Sequence, residues 1–298
     1  MTNNGRVIAL GFFDGVHIGH KALLNKVKER AVQYNLIPSV INFDIHPDTL
    51  VFNSAVDLIY SSEKRMEILN KEFGINDIIM IRFDRTLMET RWDDFLEDLT
   101  RNNGIKRIVV GYDFRLGYKG LGTPAKIREF CIEHEIGFDL IPAIVNNGEI
   151  VSSSLIRNCI RDGQMEKADS LLGRPFSISG RIRHGRSIGS KIGFPTINLK
   201  MPDGITVPSF GVYATNTLIN GYKLCSITNV GTRPTFNSES DISVETNIFN
   251  YSGDLYGDFC EVFFYKKIRD EKRFSSPELL SFQIAEDVKT VNEFFSKK

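Results

Sequence analysis

The stretch Gly11–His20 (GFFDGVHIGH) decides the fold of the first half of the chain. The apolar run Arg6–Leu10 (RVIAL) before it predicts a strand, and apolar residues at three- and four-residue steps after Gly19 predict a helix. Ligands gather at the carboxyl ends of strands in parallel sheets, where the backbone amides of the following helix point at anions. The stretch therefore predicts an anion-binding turn between a parallel strand and a helix.

Short apolar strands and helical periods alternate through the first 172 residues. After the first strand and helix, further strands are predicted at Ile37–Phe43, Asp77–Ile81, Arg107–Val110 and Phe138–Pro142. The helices between them are predicted to begin near Ser61, Trp92 and Thr123. Because a strand that is apolar along its whole length must be covered on both faces, this alternation predicts an α/β domain with a parallel sheet between helices.

The pattern changes after Gly173, where short alternating segments are separated by turns rich in Gly, Asn, Asp and Ser. These segments are Phe176–Ile182, Gly211–Ile219, Tyr222–Asn229, Ile242–Phe249 and Cys260–Tyr265. They predict a small antiparallel β-barrel, and apolar residues at helical spacing from Leu280 to Phe295 predict a C-terminal helix. We therefore expect two domains, residues 1–172 and residues 173–298.

The charge balance of the chain limits the partners that it can have. Its 298 residues include 37 basic and 37 acidic side chains, so the formal net charge is zero. This balance argues against nucleic acid or an anionic membrane as the main partner. We expect neither a signal peptide nor a membrane span, since no basic leader with a long apolar run occurs. The four cysteines are widely spaced and form no CxxC pair, which predicts free thiols in a reducing, cytoplasmic environment.

His17 and His20 lie three residues apart where the first helix is predicted to begin, so both can face the same way. Each could donate a hydrogen bond to a phosphate oxygen, and the positive end of the helix dipole would add to the attraction. Gly15 and Gly19 remove side chains where a phosphate and a base would approach the backbone. The alternative is that one histidine caps the helix and the other is a surface residue.

Three further motifs lie at predicted strand ends or helix starts: FDIHP at 43–47, GYDFRLG at 111–117 and SSSLIR at 152–157. Together with the H-x-G-H turn at 17–20, they resemble motifs of the bacterial bifunctional riboflavin kinase/FMN adenylyltransferase family, also called FAD synthetase. The resemblance covers nearly the whole chain and implies a Rossmann-like nucleotidyltransferase domain at the N-terminal end. The chain departs from the family at Ile45, Ser154 and Gln164, where Pro, Thr and Asp are usual.

The resemblance implies a role for particular residues of the first domain. Catalysis of adenylyl transfer is implied for His17, His20 and Arg157. Contact with ATP and its phosphates is implied for Gly11, Phe12, Asp14, Gly15, Gly19, Asp113, Ser153 and Ser154. Contact with the flavin is implied for His46, Pro47 and Phe114. A serine-rich helix start with an arginine one turn later is itself a plausible polyphosphate clamp. Taken singly, each of these residues could equally be a capping, turn or surface residue.

A second group of residues, GSKIGFPTIN at 189–198, resembles the riboflavin kinase signature G-x-x-x-G-F-P-T-A-N. The resemblance implies that the phosphates of ATP contact Gly189, Lys191 and Gly193. If residues 196–198 are extended, Thr196 and Asn198 project to one face as hard oxygen ligands for Mg²⁺. Ile197 replaces the family's Ala and would project to the other face, where its bulk could still displace the backbone. The alternative is an ordinary polar strand start after a proline turn.

Two motifs downstream, NVGTRPTF at 229–236 and VET at 244–246, also resemble the riboflavin kinase blocks of the family. The resemblance implies that Glu245 is the base that accepts the proton of the riboflavin 5′-hydroxyl, and that Arg269 and Phe274 bind the flavin. Polar and apolar residues alternate from 241 to 248, so Glu245 could instead be one polar residue of a solvated face.

The resemblance implies two steps of FAD biosynthesis. Riboflavin and ATP would give FMN and ADP in the barrel domain, and FMN and ATP would give FAD and pyrophosphate in the N-terminal domain. ATP, riboflavin and FMN would be the small-molecule partners, with Mg²⁺ as the metal ion. One alternative is an FAD synthetase whose barrel binds flavin without phosphorylating it, since Ile197 departs from the kinase signature. Another is a non-catalytic flavin-binding regulator.

Overall fold

The computed structural model describes residues 5–184, 194–233, 241–251, 253 and 255–297. The chain divides into two compact units, one that ends at Ser153 and one that begins at Ser154. The strands of the first unit are β1 (Arg6–Leu10), β2 (Ile37–Phe43), β3 (Asp77–Ile81), β4 (Ile105–Gly111), β5 (Gly137–Ile141), β6 (Val145–Asn146) and β7 (Glu149–Ile150). Its helices are α1 (Ile18–Tyr34), α2 (Pro47–Val51), α3 (Ser62–Lys71), α4 (Arg85–Glu89), α5 (Trp92–Asn103) and α6 (Pro124–Glu133).

The main sheet of the first unit has five parallel strands in the order β3-β2-β1-β4-β5, which confirms the predicted α/β fold. Strand β1 is central, with β2 on one side and β4 on the other. The order of strands along the chain therefore reverses between β1 and β4. In sheets of this kind, ligands bind in the crevice outside the carboxyl ends of the strands at such a reversal. The turn at Gly11–His20 follows β1 directly.

The core of the first unit explains why its strands are apolar throughout. Val7–Leu10 of β1 and Ile108–Val110 of β4 are buried on both faces of the sheet. Helices α5 and α6 pack against them through Leu96, Leu99 and Ile127. Full burial of one such aliphatic side chain stabilises the folded state by about 1.5–3 kcal/mol. The long buried strands are therefore fixed by the hydrophobic effect, and the loops at their ends are held to a rigid layer.

In the part of the second unit that the structure describes, six antiparallel strands form a barrel and three helices accompany it. Its helices are α7 (Ser153–Arg161), which begins at the last residue of the first unit, α8 (Met165–Leu172) and α9 (Pro277–Ser296). Its strands are β8 (Phe176–Arg181), β9 (Ile197–Lys200), β10 (Gly211–Ile219), β11 (Tyr222–Arg233), β12 (Asp241–Ile248) and β13 (Phe259–Arg269). Their order is β8-β13-β10-β11-β12-β9. The Arg183 amide donates to the Asn198 carbonyl over 2.8 Å and brings the two edges together, so the predicted barrel is confirmed and nearly closed.

The two faces of the barrel sheet differ in chemistry. The inner face carries five hydroxyl side chains that are fully buried and hydrogen-bonded to one another over 2.8–2.9 Å. This hydroxyl ladder consists of Thr217, Ser226, Thr215, Thr228 and Thr246. The outer face is apolar where α9 covers it, since Val212, Ala214 and Ile227 pack against Val291. The predicted C-terminal helix is thus confirmed, and it buries the outer face of β10 and β11.

Candidate active sites

A cleft of about 460 Å³ lies at the carboxyl ends of β1 and β4. Its walls include Gly11 and Phe12, which follow β1, and Asp113 and Phe114, which follow β4. The other predicted site residues that line the cleft are His17, Gly19, His20, His46, Pro47 and Ser153. The fold therefore brings together motifs that lie at the beginning, the middle and the end of the first unit.

The turn between β1 and α1 contains three residues with left-handed backbone. The φ angles are 56° for Phe13, 77° for Gly15 and 44° for Val16. Left-handed backbone is strained for a β-branched residue and persists only where the surroundings hold it. Val16 is fully buried and Phe13 is 1% exposed, so packing holds this turn in place. This turn therefore fixes the residue at which α1 begins.

His17 and His20 form a reciprocal cap at the first turn of α1. The His20 amide donates to Nδ1 of His17, and the His17 amide donates to Nδ1 of His20, both over 3.3 Å. The two rings are stacked, with centroids 3.7 Å apart and planes 16° apart. Because both Nδ1 atoms accept, the ring proton of each neutral imidazole lies on Nε2. The pair thus acts as a helix cap and as two aligned Nε2–H donors at a wall of the cleft.

Gly19 is needed for a reason that the sequence does not show. A Cβ at this position would lie 2.9 Å from Cε1 and 3.0 Å from Nδ1 of His17. The space beside Gly19 is therefore occupied by the His17 ring. At Gly11 the nearest group is likewise a ring of the same turn, since a Cβ would lie 3.1 Å from Cε2 of Phe13. Both glycines allow the aromatic side chains of the turn to pack against its own backbone.

Asp14 and Gly15 do not line the cleft, although contact with ATP is predicted for both. Asp14 is 2% exposed, and its Oδ1 accepts a hydrogen bond of 2.8 Å from the Ile59 amide. Gly15 supplies the positive φ of the turn. In this structure both residues support the turn from behind, and their contact with ATP stays a prediction.

Residues on either side of the cleft are held by hydrogen bonds to the backbone. His46 is the N-cap of α2, and its Nδ1 accepts a hydrogen bond of 3.2 Å from the Asp48 amide. Pro47 occupies the first helical position, where its missing N–H has no intrahelical partner to lose. Ser153 Oγ donates a hydrogen bond of 3.0 Å to the Asp14 carbonyl, which joins the last residue of the first unit to the turn after β1.

Ser154 and Arg157 belong to the second unit, which begins at Ser154. Arg157 lies one turn after the first residue of α7, as the predicted clamp requires. Its Nη2 donates a hydrogen bond of 3.0 Å to Ser154 Oγ. The contact of these two residues with polyphosphate stays a prediction.

A largely apolar pocket of about 480 Å³ adjoins the cleft and shares Pro47, Asp48, Phe114 and Arg115 with it. Most of its lining is missing from the predicted site, including the apolar residues Phe43, Val51, Phe52, Phe83, Leu87, Met88 and Phe95. The rings of Phe43 and Phe83 meet edge to face with centroids 5.5 Å apart. The position of these two residues at the ends of the neighbouring strands β2 and β3 is the signal that could have identified them.

The barrel unit has its own cavity of about 280 Å³ on the outer face of the sheet, partly covered by α9. Glu245 lines it and lies in register with Asn198 of β9 on one side and Asn229 of β11 on the other. Residues that are directly opposite in an antiparallel pair share a face of the sheet. The carboxylate therefore has an amide side chain on each flank. Asn229 is a site residue that the sequence-based prediction missed.

The predicted metal ligands lie on either side of Ile197. Thr196 lines the cavity, whereas Asn198 is 5% exposed and occupies the row of Glu245. Ile197 is in register with Thr246, whose side chain is on the inner face. The predicted alternation is thus confirmed, with Ile197 facing away from Glu245. Asn247 supports this segment, because its Nδ2 donates a hydrogen bond of 2.6 Å to the Pro195 carbonyl.

Arg269 and Phe274, the predicted flavin contacts of the second site, both line this cavity. The Arg269 guanidinium is held by Asp287 of α9 through contacts of 2.8–3.1 Å, and it lies 5.8 Å from the Phe274 ring centroid. Asp287 is 3% exposed, so this ion pair is held against the middle of α9. Glu271 and Lys272, which also line the cavity, are absent from the predicted site.

The described ranges contain no cluster of three or more His, Cys, Asp or Glu side chains arranged to hold a metal ion. This is compatible with Mg²⁺, which is commonly held by one or two protein oxygens together with substrate phosphates and water. The predicted phosphate contacts Gly189, Lys191 and Gly193 lie outside the described residues.

The fold and the two sites define a class of protein: a transferase with a nucleotide-binding α/β unit followed by a flavin kinase-like barrel. Family comparisons give the same division, because the FAD synthetase family matches residues 1–155 and the riboflavin kinase family matches residues 172–295. The chain belongs to the bifunctional riboflavin kinase/FMN adenylyltransferase family. ATP, riboflavin and FMN are substrates of this enzyme class.

Three relatives illustrate the match. The bifunctional riboflavin kinase/FMN adenylyltransferase of Escherichia coli K12 is 36% identical over 98% of this chain and 93% of its own length. The bifunctional enzyme of Buchnera aphidicola from Schizaphis graminum is 33% identical over 99% of this chain and 95% of its own length. A crystal structure described as a macrolide-efflux protein from Streptococcus pneumoniae matches with a TM-score of 0.90 and 27% identity. The match covers 98% of this chain and 95% of that protein.

These comparisons confirm the predicted resemblance, the two activities of FAD biosynthesis and the assignment as a transferase and kinase. Among the described residues, no helix has the length and apolar character needed to cross a membrane. The predicted domain boundary between residues 172 and 173 stays a prediction, and so do the roles of the individual site residues.

Proposed function

We propose that FMN adenylyl transfer takes place in the cleft and the adjoining apolar pocket of the first unit. The observation that carries this proposal is that the cleft and the apolar pocket adjoin each other. The cleft bounded by the stacked histidines shares Pro47, Asp48, Phe114 and Arg115 with a pocket walled by Phe43 and Phe83. FMN combines an anionic phosphate with a planar aromatic ring, so a cleft with hydrogen-bond donors next to an aromatic pocket suits it.

Adenylyl transfer needs no covalent intermediate with the protein. An FMN phosphate oxygen attacks the α-phosphorus of ATP, a new P–O bond forms, and the bond to the departing pyrophosphate breaks. The attacking group is already an anion, so positioning and charge stabilisation carry the rate. The Nε2–H groups of His17 and His20 donate to phosphate oxygens, and the first turn of α1 adds positive potential. Arg157 and the hydroxyls of Ser153 and Ser154 hold polyphosphate oxygens.

The barrel cavity is the proposed site of riboflavin phosphorylation. Glu245 orients the 5′-hydroxyl of riboflavin and accepts its proton while the oxygen attacks the γ-phosphorus and ADP leaves. The flanking amides of Asn198 and Asn229 support this role, because they place polar groups on both sides of the carboxylate. Arg269 and Phe274 contact the flavin, and the fixed ion pair with α9 keeps the arginine in place.

Thr196 and Asn198 are the proposed Mg²⁺ ligands of the kinase site. Their hydroxyl and amide oxygens are hard donors, and the Glu245 carboxylate in register with Asn198 adds negative charge. When bound, Mg²⁺ would neutralise the charge that develops on the transferred phosphoryl group. The position of Ile197 on the opposite face supports an active kinase over a barrel that only binds flavin.

The test of the two reactions is direct. Riboflavin and FMN are each supplied separately with Mg²⁺ and ATP, and the flavins formed are separated by chromatography. We expect FMN and FAD from riboflavin, and FAD from FMN. Formation of FAD from FMN without any FMN from riboflavin would show that the barrel does not phosphorylate riboflavin and would favour a barrel that only binds flavin. Flavin binding without turnover of either substrate would favour the regulator.

Single variants assign each reaction to its unit. We expect His20→Ala to remove FAD formation and to leave riboflavin phosphorylation unchanged. The matched control is His134→Ala, at the residue that follows α6 in the same unit. Glu245→Gln should remove riboflavin phosphorylation and leave FAD formation from FMN unchanged. Its control is Glu286→Gln on the exposed face of α9. Equal loss of both activities in either site variant would contradict the assignment to separate sites.

The cytoplasm is the proposed compartment. None of the four cysteines, all of which lie within the described residues, forms a disulfide, and burial raises the pKa of Cys131 and of Cys260 to about 12. Thiols with so high a pKa remain protonated and unreactive at neutral pH. Fractionation of cells that express the tagged chain tests the assignment, and recovery outside the soluble cytoplasmic fraction would contradict it.

A further inference from the structure

A buried arginine lies directly behind the cleft. Arg65 of α3 is fully buried, and its guanidinium carbon lies 3.9 Å from the ring centroid of Phe12. Its Nη1 donates to the Phe12 carbonyl and, over 3.2 Å, to Oδ1 of Asn42. Its Nε and Nη2 have no hydrogen-bond partner among the described residues. Phe12 therefore receives one of the two hydrogen bonds that Arg65 makes, as well as the contact between the guanidinium and a ring.

Part of this arrangement is costly for stability. Burial lowers the pKa of Arg65 to about 10, opposed by the charges of Asp14 and Glu63, so the group remains a cation at neutral pH. Two N–H groups of a buried charge without hydrogen-bond partners destabilise the folded state, so a replacement of similar volume that removes them offsets the hydrogen bonds that are lost with the arginine. A costly group beside a ligand cleft is a candidate for a functional role.

The contacts of Phe12 show which function Arg65 can serve. The face of the Phe12 ring lies against the guanidinium, and the same ring contacts His46 with centroids 4.6 Å apart and planes 69° apart. Phe12 and His46 both line the cleft. The next residue, Phe13, begins the left-handed turn that leads to the stacked histidines. A shift of Phe12 would therefore move two parts of the cleft wall together.

We propose that Arg65 is a positioning residue of the adenylyl-transfer site, which fixes the carbonyl and the ring of Phe12 and, through that ring, the imidazole of His46. This inference rests on the cleft as the site of FAD formation. Arg65 itself does not line the cleft, so it acts through Phe12 and His46 rather than on a substrate.

Arg65→Met is the decisive variant, because it removes the charge and the donors while keeping most of the volume. We expect kcat/KM for FAD formation from FMN to fall by ~10²-fold, the size of effect that a small misplacement of a site can have. The melting temperature should stay the same or rise. Riboflavin phosphorylation by the same chain should be unchanged. Arg65→Lys, which keeps the charge but not the planar fork, should recover only part of the loss.

Arg107→Met is the matched control. Arg107 is also a largely buried arginine of the first unit, but it pairs with Asp139 at the other end of β4, away from the cleft. We expect this variant to lower the melting temperature and to leave kcat and KM for FAD formation unchanged. The two arginines should therefore give opposite patterns of stability and activity.

The histidine NMR signals provide a readout that a merely structural role would not move. The chain has five histidines, and long-range ¹H–¹⁵N spectra report the environment of each ring. Arg65→Met should shift the His46 signal and leave the signal of His134, which follows α6, unchanged. Shifts of both signals, or a lower melting temperature with unchanged kinetics, would make Arg65 an ordinary structural residue. If His20→Ala left FAD formation intact, the site itself would be wrong, whereas loss in His20→Ala without loss in Arg65→Met would overturn this inference alone.

Discussion

Replacement of Gly19 by alanine separates the stability of α1 from its function. Gly19 is the second residue of α1, where alanine has the higher helix propensity by up to about 1 kcal/mol. The new Cβ would however lie 2.9 Å from Cε1 of His17, closer than real Cβ contacts allow. The His17 ring must then turn away, which breaks the reciprocal cap and the stack with His20. Loss of an N-cap costs about 1 kcal/mol.

The gain and the loss nearly cancel, so we expect the free energy of unfolding of Gly19→Ala to stay within about 1 kcal/mol of the wild-type value. FAD formation should fall by ~10²-fold, because a misplaced donor no longer meets the charge of the transition state. Urea unfolding measures the first quantity, and chromatography of flavins formed from FMN measures the second. Asn25→Ala, an exposed position later in α1, is the control that changes propensity without a steric clash.

Two results would refute this reasoning. Unchanged FAD formation in Gly19→Ala would show that the His17 ring need not keep its place. A large loss of stability together with a loss of riboflavin phosphorylation would show that the variant acts on the whole chain.

Three further predictions concern other parts of the molecule. Ile197→Ala should raise the rate of riboflavin phosphorylation if the isoleucine crowds the inner face, and an unchanged rate would dismiss the crowding argument. Asn247→Ala removes the tether to the Pro195 carbonyl, so the KM for ATP in riboflavin phosphorylation should rise while FAD formation stays constant. Burial alone would raise the pKa of Asp139, but hydrogen bonds from its two arginine partners outweigh burial and lower the pKa. Its contribution to stability is therefore complete above the unfolded value of about 3.9 and is lost as the pH falls through the lower folded value. Asp139→Asn should unfold more readily in urea at pH 7, with a smaller further decline in acid than the wild-type chain.

The parallel sheet and the barrel were predictable because their patterns are local. Strands β1, β2 and β3 coincide with the predicted bounds, since each is an apolar run bordered by polar residues. Helices α2 and α4 escaped prediction because five residues are too few to display a helical period. Strands β6 and β7 consist of two residues each and carry no alternation.

The site was predictable where a motif carries the chemistry, as in the turn at Gly11–His20. It was not predictable where residues meet only through the fold. Phe43 and Phe83 come together because β2 and β3 are neighbours in the sheet, and the order of strands cannot be deduced from spacing. Arg65 lies on a surface-like helical period, and only the packing of α3 behind the turn after β1 reveals that it is buried.

The hydroxyl ladder inside the barrel has a consequence for how the strands choose their partners. A slip of one residue between β10 and β11 would exchange the two faces of β11, moving Thr228 outward and Ile227 inward. The remaining hydroxyls would then face aliphatic side chains, and each unpaired buried hydroxyl costs about 1–3 kcal/mol. The slip would therefore be penalised at several positions at once. The hydroxyl ladder therefore favours the native register of the strands, and this register places Glu245 beside Asn198 and Asn229.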